Sequence, residues 1–188
     1  MTSTVTRSAQ TGDVETVTAP MTSMDRATAQ QWRALGAAQE ATSTAERVIL
    51  ALRLLDQVYI GFAVSQLTHC LQVASRAERG GADTEMVVAA LCHDIGKVIP
   101  GGDHALFGAQ LLRPYVRDEV YQVIRYHWFY GLRYTYQYVP GRRPDTRRRF
   151  RRKPWHRLAE RFSDEWDQAS FDPAYETFPL EHFEERIR

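Results

Sequence analysis

Six residues scattered over the middle of the chain have side chains suited to holding metal ions: His69, the adjacent pair His93-Asp94, His104, His127 and Asp167. They include four of the chain's six histidines. His69, His93 and His127 each follow apolar neighbours on a stretch with helical periodicity (Leu67-Thr68-His69, Leu91-Cys92-His93, Ile124-Arg125-Tyr126-His127). Their imidazoles are therefore expected to point into a helix bundle and not into water. A single such histidine is ordinarily a hydrogen-bonded core residue. Four of them with two aspartates need a shared explanation, because buried imidazole and carboxylate groups are costly unless paired or bound to metal. Adjacent His and Asp differ by about 100° in direction on a helix, so both reach a common point only at a helix end, which the Gly96 turn supplies. A carboxylate there can offer one oxygen to each of two cations, and bridged metal pairs sit roughly 3.5–4 Å apart. Asp94 is the expected bridge. Nitrogen and oxygen ligands of intermediate softness suit iron, manganese or zinc better than copper or calcium, and ligand type leaves those three open.

The elements that must position these residues are helical. Residues 1–42 are rich in Ser, Thr, Ala and Gln and hold no aromatic before Trp32, which predicts a disordered or partly helical N-terminal tail. A helix from Asp25 to Ala38, capped by Asp25, is the candidate structured part. The domain is expected over 43–188. From Thr44, Val48, Ile49, Leu52, Leu54, Leu55 and Val58 recur at three- and four-residue steps, and a second helix is predicted from about Phe62 to Ala77 after Gly61. Asp83 reads as the cap of a third, TEMVVAALCHDIGKV, which Pro100 and Gly101-Gly102 end. A fourth helix starts near Asp103 and contains His104, and Pro114 separates it from a fifth that runs to His127. A last helix is predicted from about Pro154 to Trp166, just before Asp167. No internal repeat and no alternating pattern is visible, so the fold class is all-α.

Composition narrows the function classes. An apolar fraction of 44% is ordinary for a globular domain, and 24 basic against 23 acidic residues give a net charge of +1. That balance favours neither a nucleic-acid nor a membrane-surface partner. Cys70 and Cys92 sit in apolar helical patterns without zinc spacing and read as reduced, buried thiols. With no apolar run of membrane-spanning length and no secretory core near the start, a cytoplasmic protein is expected. The one strong charge run, GRRPDTRRRFRRK from Gly141 to Lys153, holds seven arginines and one lysine and reads chiefly as a solvated, mobile loop. An anionic substrate or partner is its functional alternative. His156 and His182 are expected at the surface. Trp128, Phe129, Tyr130, Tyr134, Tyr136 and Tyr138 are expected as core or lid packing.

With His69, the His93-Asp94 doublet and a late aspartate in view, the chain resembles the HD superfamily of helical metalloproteins over about residues 44–182. The context AALCHDIGKV is shared by the phosphohydrolases and oxygenases of that superfamily, so it speaks for fold and not for reaction. Two further stretches resemble its oxygenase branch, which contains inositol oxygenase and the hydroxyphosphonate-cleaving oxygenases. YIGFAVSQLTHCLQVA, residues 59–74, is similar to the phosphonate-cleaving members, as is the short spacing from Asp94 to His104. IRYHWFY, residues 124–130, and Lys97 are similar to inositol oxygenase.

The resemblance implies an HD-domain helical bundle holding two iron ions as a mixed-valent Fe(II)/Fe(III) pair. His69, His93, Asp94 and Asp167 would hold one ion, and Asp94, His104 and His127 the other. Tyr59 would lie over the second ion, and Tyr59, Gln66 and Lys97 would meet substrate. Phe62 stands where members acting on a primary amine have a glutamate, so an ammonium is not expected to be recognised by that route. The implied reaction is O2-dependent cleavage of a C–P or C–C bond in a small hydroxylated anionic or polyol substrate, hydroxyphosphonate-like first. The alternative is a metal-dependent phosphohydrolase acting on a nucleotide or other phosphate ester, with manganese or zinc lowering the pKa of a bound water. A non-catalytic module fits poorly, since all six ligand positions are filled. The expected partners are a small-molecule substrate and O2, without nucleic acid or membrane, for a monomer or homodimer.

Overall fold

Asp83 and Asp103 each stand just before a helix, and each carboxylate accepts the backbone N–H three residues on, from Met86 and Leu106 at 2.9 Å. These are N-caps that satisfy a donor the helix itself leaves free. The computed structural model describes residues 21–40, 43–99 and 101–188. Its helices are α1 (Ala29–Glu40), α2 (Thr44–Leu54), α3 (Gln66–Arg79), α4 (Thr84–Cys92), α5 (His104–Leu112), α6 (Asp118–Thr135), α7 (His156–Arg161) and α8 (Leu180–Ile187), joined by loops and short tight turns. No strand occurs among the described residues, and the class is all-α. None of the described helices is long and apolar enough to cross a membrane.

Contacts divide the chain into two units, one ending at Arg47 and one running from Val48 to Arg188. In the first, the expected disorder over residues 1–20 lies outside the described residues. The helix there is capped by Thr28 and not by Asp25: Thr28 Oγ1 accepts from Gln31 N at 3.2 Å while Gln31 Oε1 accepts from Thr28 N at 2.9 Å. This reciprocal capping box starts the helix four residues later than expected.

The second unit is a bundle around Leu52, Leu55, Val73, Met86, Leu91, Ile95, Val123, Ile124, Phe162 and Trp166, all buried. α3 packs on α4, and α5 on α6. Several predicted boundaries move for local reasons. α3 begins at Gln66 and not at Phe62, because Ser65 Oγ takes the cap by accepting from Thr68 N at 3.2 Å. Regular α-helix stops at Cys92, and Ile95–Val98 form a 3₁₀ turn; the Pro100 stop lies outside the described residues. α6 continues two turns past His127 to Thr135, since nothing there breaks it. The helix expected up to Trp166 is α7 followed by a π-helical turn, Phe162–Asp167. The acidic aromatic tail contains α8, whose Leu180 and Phe183 are buried.

The arginine run is only partly the solvated loop expected. Arg142, Arg143, Arg148, Arg149, Arg151 and Arg152 are exposed, but Thr146–Phe150 form a 3₁₀ turn that buries Phe150 and Arg147.

Candidate metal centre

Four helical elements and one turn bring the six predicted ligands together. His69 lies in the first turn of α3, His93 at the C-terminal end of α4, His104 at the first position of α5, His127 in mid-α6 and Asp167 at the end of the π-helical turn. At Asp94 the backbone leaves helical geometry (φ −103°, ψ 10°), so the doublet sits at a helix end, as its shared target required. Two glycines then let α5 come close. A Cβ at Gly108 would stand 2.7 Å from the carbonyl oxygen of His93, and one at Gly96 would stand 2.8 Å from the backbone of His104. Only glycine permits that approach, which carries His104 up to Asp94.

The two oxygens of Asp94 face different histidines. Oδ2 is 3.4 Å from His69 Nε2 and 3.3 Å from His93 Nε2, and Asp167 Oδ1 lies 3.3 Å from that same His69 atom and 3.7 Å from His93 Nε2. Oδ1 is 3.4 Å from His104 Nε2 and 3.5 Å from His127 Nε2. Ligand bonds of about 2.0–2.2 Å put neighbouring ligand atoms on edges of roughly 3.0–3.6 Å, the range seen here. The groups His69, His93, Asp167 and His93, Asp94, His127 each offer ligand atoms within 4.8 Å of one another. Asp94 thus stands between two ligand sets.

Backbone carbonyls fix which nitrogen each imidazole presents. His69 Nδ1 donates to Ser170 O at 2.8 Å, His93 Nδ1 to Ala90 O at 2.7 Å and His127 Nδ1 to Ile124 O at 2.7 Å. A carbonyl only accepts, so the proton is held at Nδ1 and the Nε2 lone pair turns to the centre, as in metal-ligating histidines. His69 Nε2 and His93 Nε2 then face each other at 3.2 Å with both protons engaged elsewhere. Asp94 Oδ1 has no hydrogen-bond partner although it is buried. Opposed lone pairs and an orphaned carboxylate oxygen, shut away from water, are what a cation between them resolves. The residues present fit a metal pair.

The electrostatics agree. Burial disfavours charge on His69, yet hydrogen bonding to Asp167 and Asp94 outweighs it and raises the pKa to about 9. Burial holds His93 down and takes His104 to about 4. It also opposes ionisation of Asp94 and Asp167, but the surrounding positive groups, with His93 foremost at Asp94 and His69 at Asp167, win; Asp167 falls to about 2 and Asp94 well below the usual carboxylate range. Without a metal the acidic field recruits a proton in its place.

The remaining predicted residues part company. Lys97 pairs its ammonium with Asp94 Oδ2. Gln66 is fully buried one turn before His69, and neither its amide nitrogen nor its oxygen has a partner. Tyr59 is not drawn in: it is 66% exposed, on the irregular segment left outside when α3 starts only at Gln66. The aromatic of that segment which packs inward is Phe62, stacked on Phe171 at 3.8 Å, and Phe171 in turn stacks on His69 at 4.2 Å. His182 is at the surface as expected, but His156 is only partly exposed, with its Nδ1 2.6 Å from Tyr130 Oη.

Sequence reasoning missed Phe171, the Ser170 carbonyl and Arg147. The Arg147 guanidinium donates to Tyr130 O at 2.7 Å on α6 and forks onto Asp164 at 2.8 and 2.6 Å in the π-helical turn. It ties the segment after His127 to the turn that carries Asp167. No signal in a run of seven arginines marks the buried one.

Comparison with known proteins bears on this centre. Over 83 residues the chain is 32% identical to (1-hydroxy-2-(trimethylamino)ethyl)phosphonate dioxygenase (glycine-betaine-forming) of Leisingera caerulea, a match covering 38% of this chain and 42% of that protein. The chain therefore matches less than half the length of this relative. The family model described as the HD domain matches residues 67–164, 98 of the 188, a span that holds five of the six predicted ligands and stops three residues short of Asp167. With that match over half its length and the His-Asp doublet at the heart of a helical bundle, the chain belongs to the HD domain family.

Proposed function

We propose that the chain is an O2-dependent oxygenase with two metal ions that cleaves a C–P or C–C bond of a small hydroxylated substrate, a hydroxyphosphonate first among them. The observation that carries this reading is the division of Asp94, whose two carboxylate oxygens face separate sets of imidazoles within 3.5 Å. The partial relationship to a phosphonate dioxygenase supports the choice of reaction. His69, His93 and Asp167 with Asp94 Oδ2 would hold one ion, and His104 and His127 with Asp94 Oδ1 the other. A mixed-valent iron pair there supplies the activation of O2 and a Lewis acid for the substrate's hydroxyl oxygen.

The chain's own residues do the rest. Carbonyls of Ser170, Ala90 and Ile124 hold three imidazoles in one tautomer and orientation. Phe162 and Phe171, packed on His93 and His69, keep water off the centre. The Lys97 ammonium offsets the negative charge of Asp94. The unpartnered amide of Gln66 offers a donor and an acceptor to a hydroxylated ligand. Substrate and O2 are the partners this reading requires.

The test is metal analysis of the anaerobically purified protein, then electron paramagnetic resonance after partial oxidation and O2 uptake with hydroxyphosphonates and polyols. An exchange-coupled diiron signal perturbed by one of these compounds, with O2 consumed, is expected. Zinc or manganese content with phosphatase turnover and no O2 uptake overturns the oxygenase in favour of a phosphohydrolase.

A further inference from the structure

Beside the centre, on the side of His104, lies a cavity of about 260 Å³. Its walls are His104 and Asp103 at the start of α5, Arg125, Trp128 and Phe129 on α6, and Arg142 from the loop beyond. Arg125, Trp128 and Phe129 are spaced three and four apart and share one helix face, while His127 between them is buried in the bundle. Gly141 has φ +74°, a left-handed turn open to glycine, and the next residue brings its guanidinium over the Trp128 ring at 5.6 Å. One side chain, His104, belongs both to the cavity wall and to the ligand set.

The charges in this cavity do not balance. Arg125 meets Asp103 Oδ2 through a single long contact of 3.3 Å, and the other oxygen of Asp103 is engaged in capping Leu106 N. Among the described residues no carboxylate pairs with Arg142. Two guanidiniums thus share one carboxylate, whereas Lys97 is committed to Asp94. Guanidinium groups bind phosphonate, phosphate and carboxylate oxygens through charge-assisted hydrogen bonds, often in pairs. The volume falls just below the range of about 300–1,000 Å³ usual for small-molecule sites, which sets a short ligand.

We infer that this cavity is the anion subsite of the centre: Arg125 and Arg142 take the substrate's phosphonate, phosphate or carboxylate group, Trp128 and Phe129 cover its carbon chain, and the His104 wall directs the reacting carbon to the metals. The inference rests on the reaction proposed above for the direction of the ligand, but not for its charge. It makes Arg125 and Arg142 specificity residues, and it assigns one exposed member of the arginine run a task that the other exposed members lack.

The experiment titrates the full metal-loaded chain with inorganic phosphate and with methylphosphonate, by calorimetry and by tryptophan fluorescence, in wild type, Arg125→Gln and Arg142→Gln. Each substitution is expected to weaken binding about tenfold or more, the worth of one charge-assisted hydrogen bond, with metal content and melting temperature unchanged. Trp128→Phe is expected to remove the fluorescence response while calorimetric binding persists. Equal affinity for both anions in wild type and both arginine variants overturns the subsite. O2 uptake is read on the same samples to separate the two claims. Arginine-dependent anion binding without O2 uptake sinks the oxygenase and keeps the subsite, and hydroxyphosphonate-driven uptake identical in all three proteins sinks the subsite and keeps the oxygenase.

Discussion

Two buried polar clusters lie within a few helical turns of each other and are built on opposite terms. At Arg147, which is 6% exposed, the guanidinium's hydrogen bonds go to Tyr130 O, Ser163 Oγ and both oxygens of Asp164. At the candidate metal centre, two imidazole lone pairs face each other, Asp94 Oδ1 is orphaned, and the Gln66 amide has no partner. Protein interiors satisfy nearly all their buried polar atoms. A saturated cluster is therefore complete as a strut, and one left unsaturated within the same well-packed fold is shaped for something that binds it. The difference separates structural polarity from functional polarity without reference to residue type.

The largest expected effect strikes the unsaturated cluster. Asp94→Asn should abolish binding of both ions and reduce turnover by about 10³-fold or more, the scale on which an essential electrostatic group acts. Its melting temperature should no longer respond to metal, where the wild type gains about 4 kcal/mol at a metal concentration 1,000 times the dissociation constant. A variant that keeps the wild-type metal-dependent melting would break the comparison from this side. Arg147→Met attacks the saturated cluster and should cost about 3 kcal/mol, the lower end for breaking a buried pair, since Asp164 keeps 32% of its side chain exposed. That loss should be the same in metal-free and metal-loaded protein by chemical denaturation.

A smaller effect sharpens the geometry. Gly108→Ala places a methyl group 2.7 Å from His93 O and should cost about 1–3 kcal/mol. Because the strain pushes α5 away from the doublet, the ion on the His104 side should be lost before the other, as read by metal stoichiometry. The smallest effect comes from a satisfied pair at the surface. Arg186 above all holds Glu78 down from 4.5 to about 2, against a burial that raises it, with His182 helping. The folded pKa is depressed, so the contribution is present above pH 4.5 and is lost as pH falls through about 2. At neutral pH Glu78→Gln should cost under about 1 kcal/mol, because the group is a quarter exposed. Melting curves of the two proteins should converge across that acid window, and a constant gap down to pH 2 would show that the pair is not responsible.

Much of the site was legible in the sequence because ligand chemistry needs particular side chains. His69, the His93-Asp94 doublet, His104, His127 and Asp167 stand out by type and by their apolar helical surroundings, and the structure brings all six together. The caps Asp83 and Asp103 were equally plain, since their oxygens act within three residues. Tyr59 and Phe62 were not: an irregular segment has no period to tell inward from outward, and the start of α3 at Gln66 settled the matter. Arg147 was hidden for another reason, because seven arginines of the same type differ only in what the fold sets beside them.

The identities of the metal-binding groups, the all-helical class and the break at the His-Asp doublet were determined by local chemistry and periodicity, which a linear sequence carries in full. Which oxygen of Asp94 meets which histidine, which arginine is sealed inside, and where Asp167 points after a π-helical turn were decided only by packing. One extra residue in a turn rotates the rest of its helix by about 100°, and the close seating of α5 on Gly96 and Gly108 depends on atoms that come from distant parts of the chain.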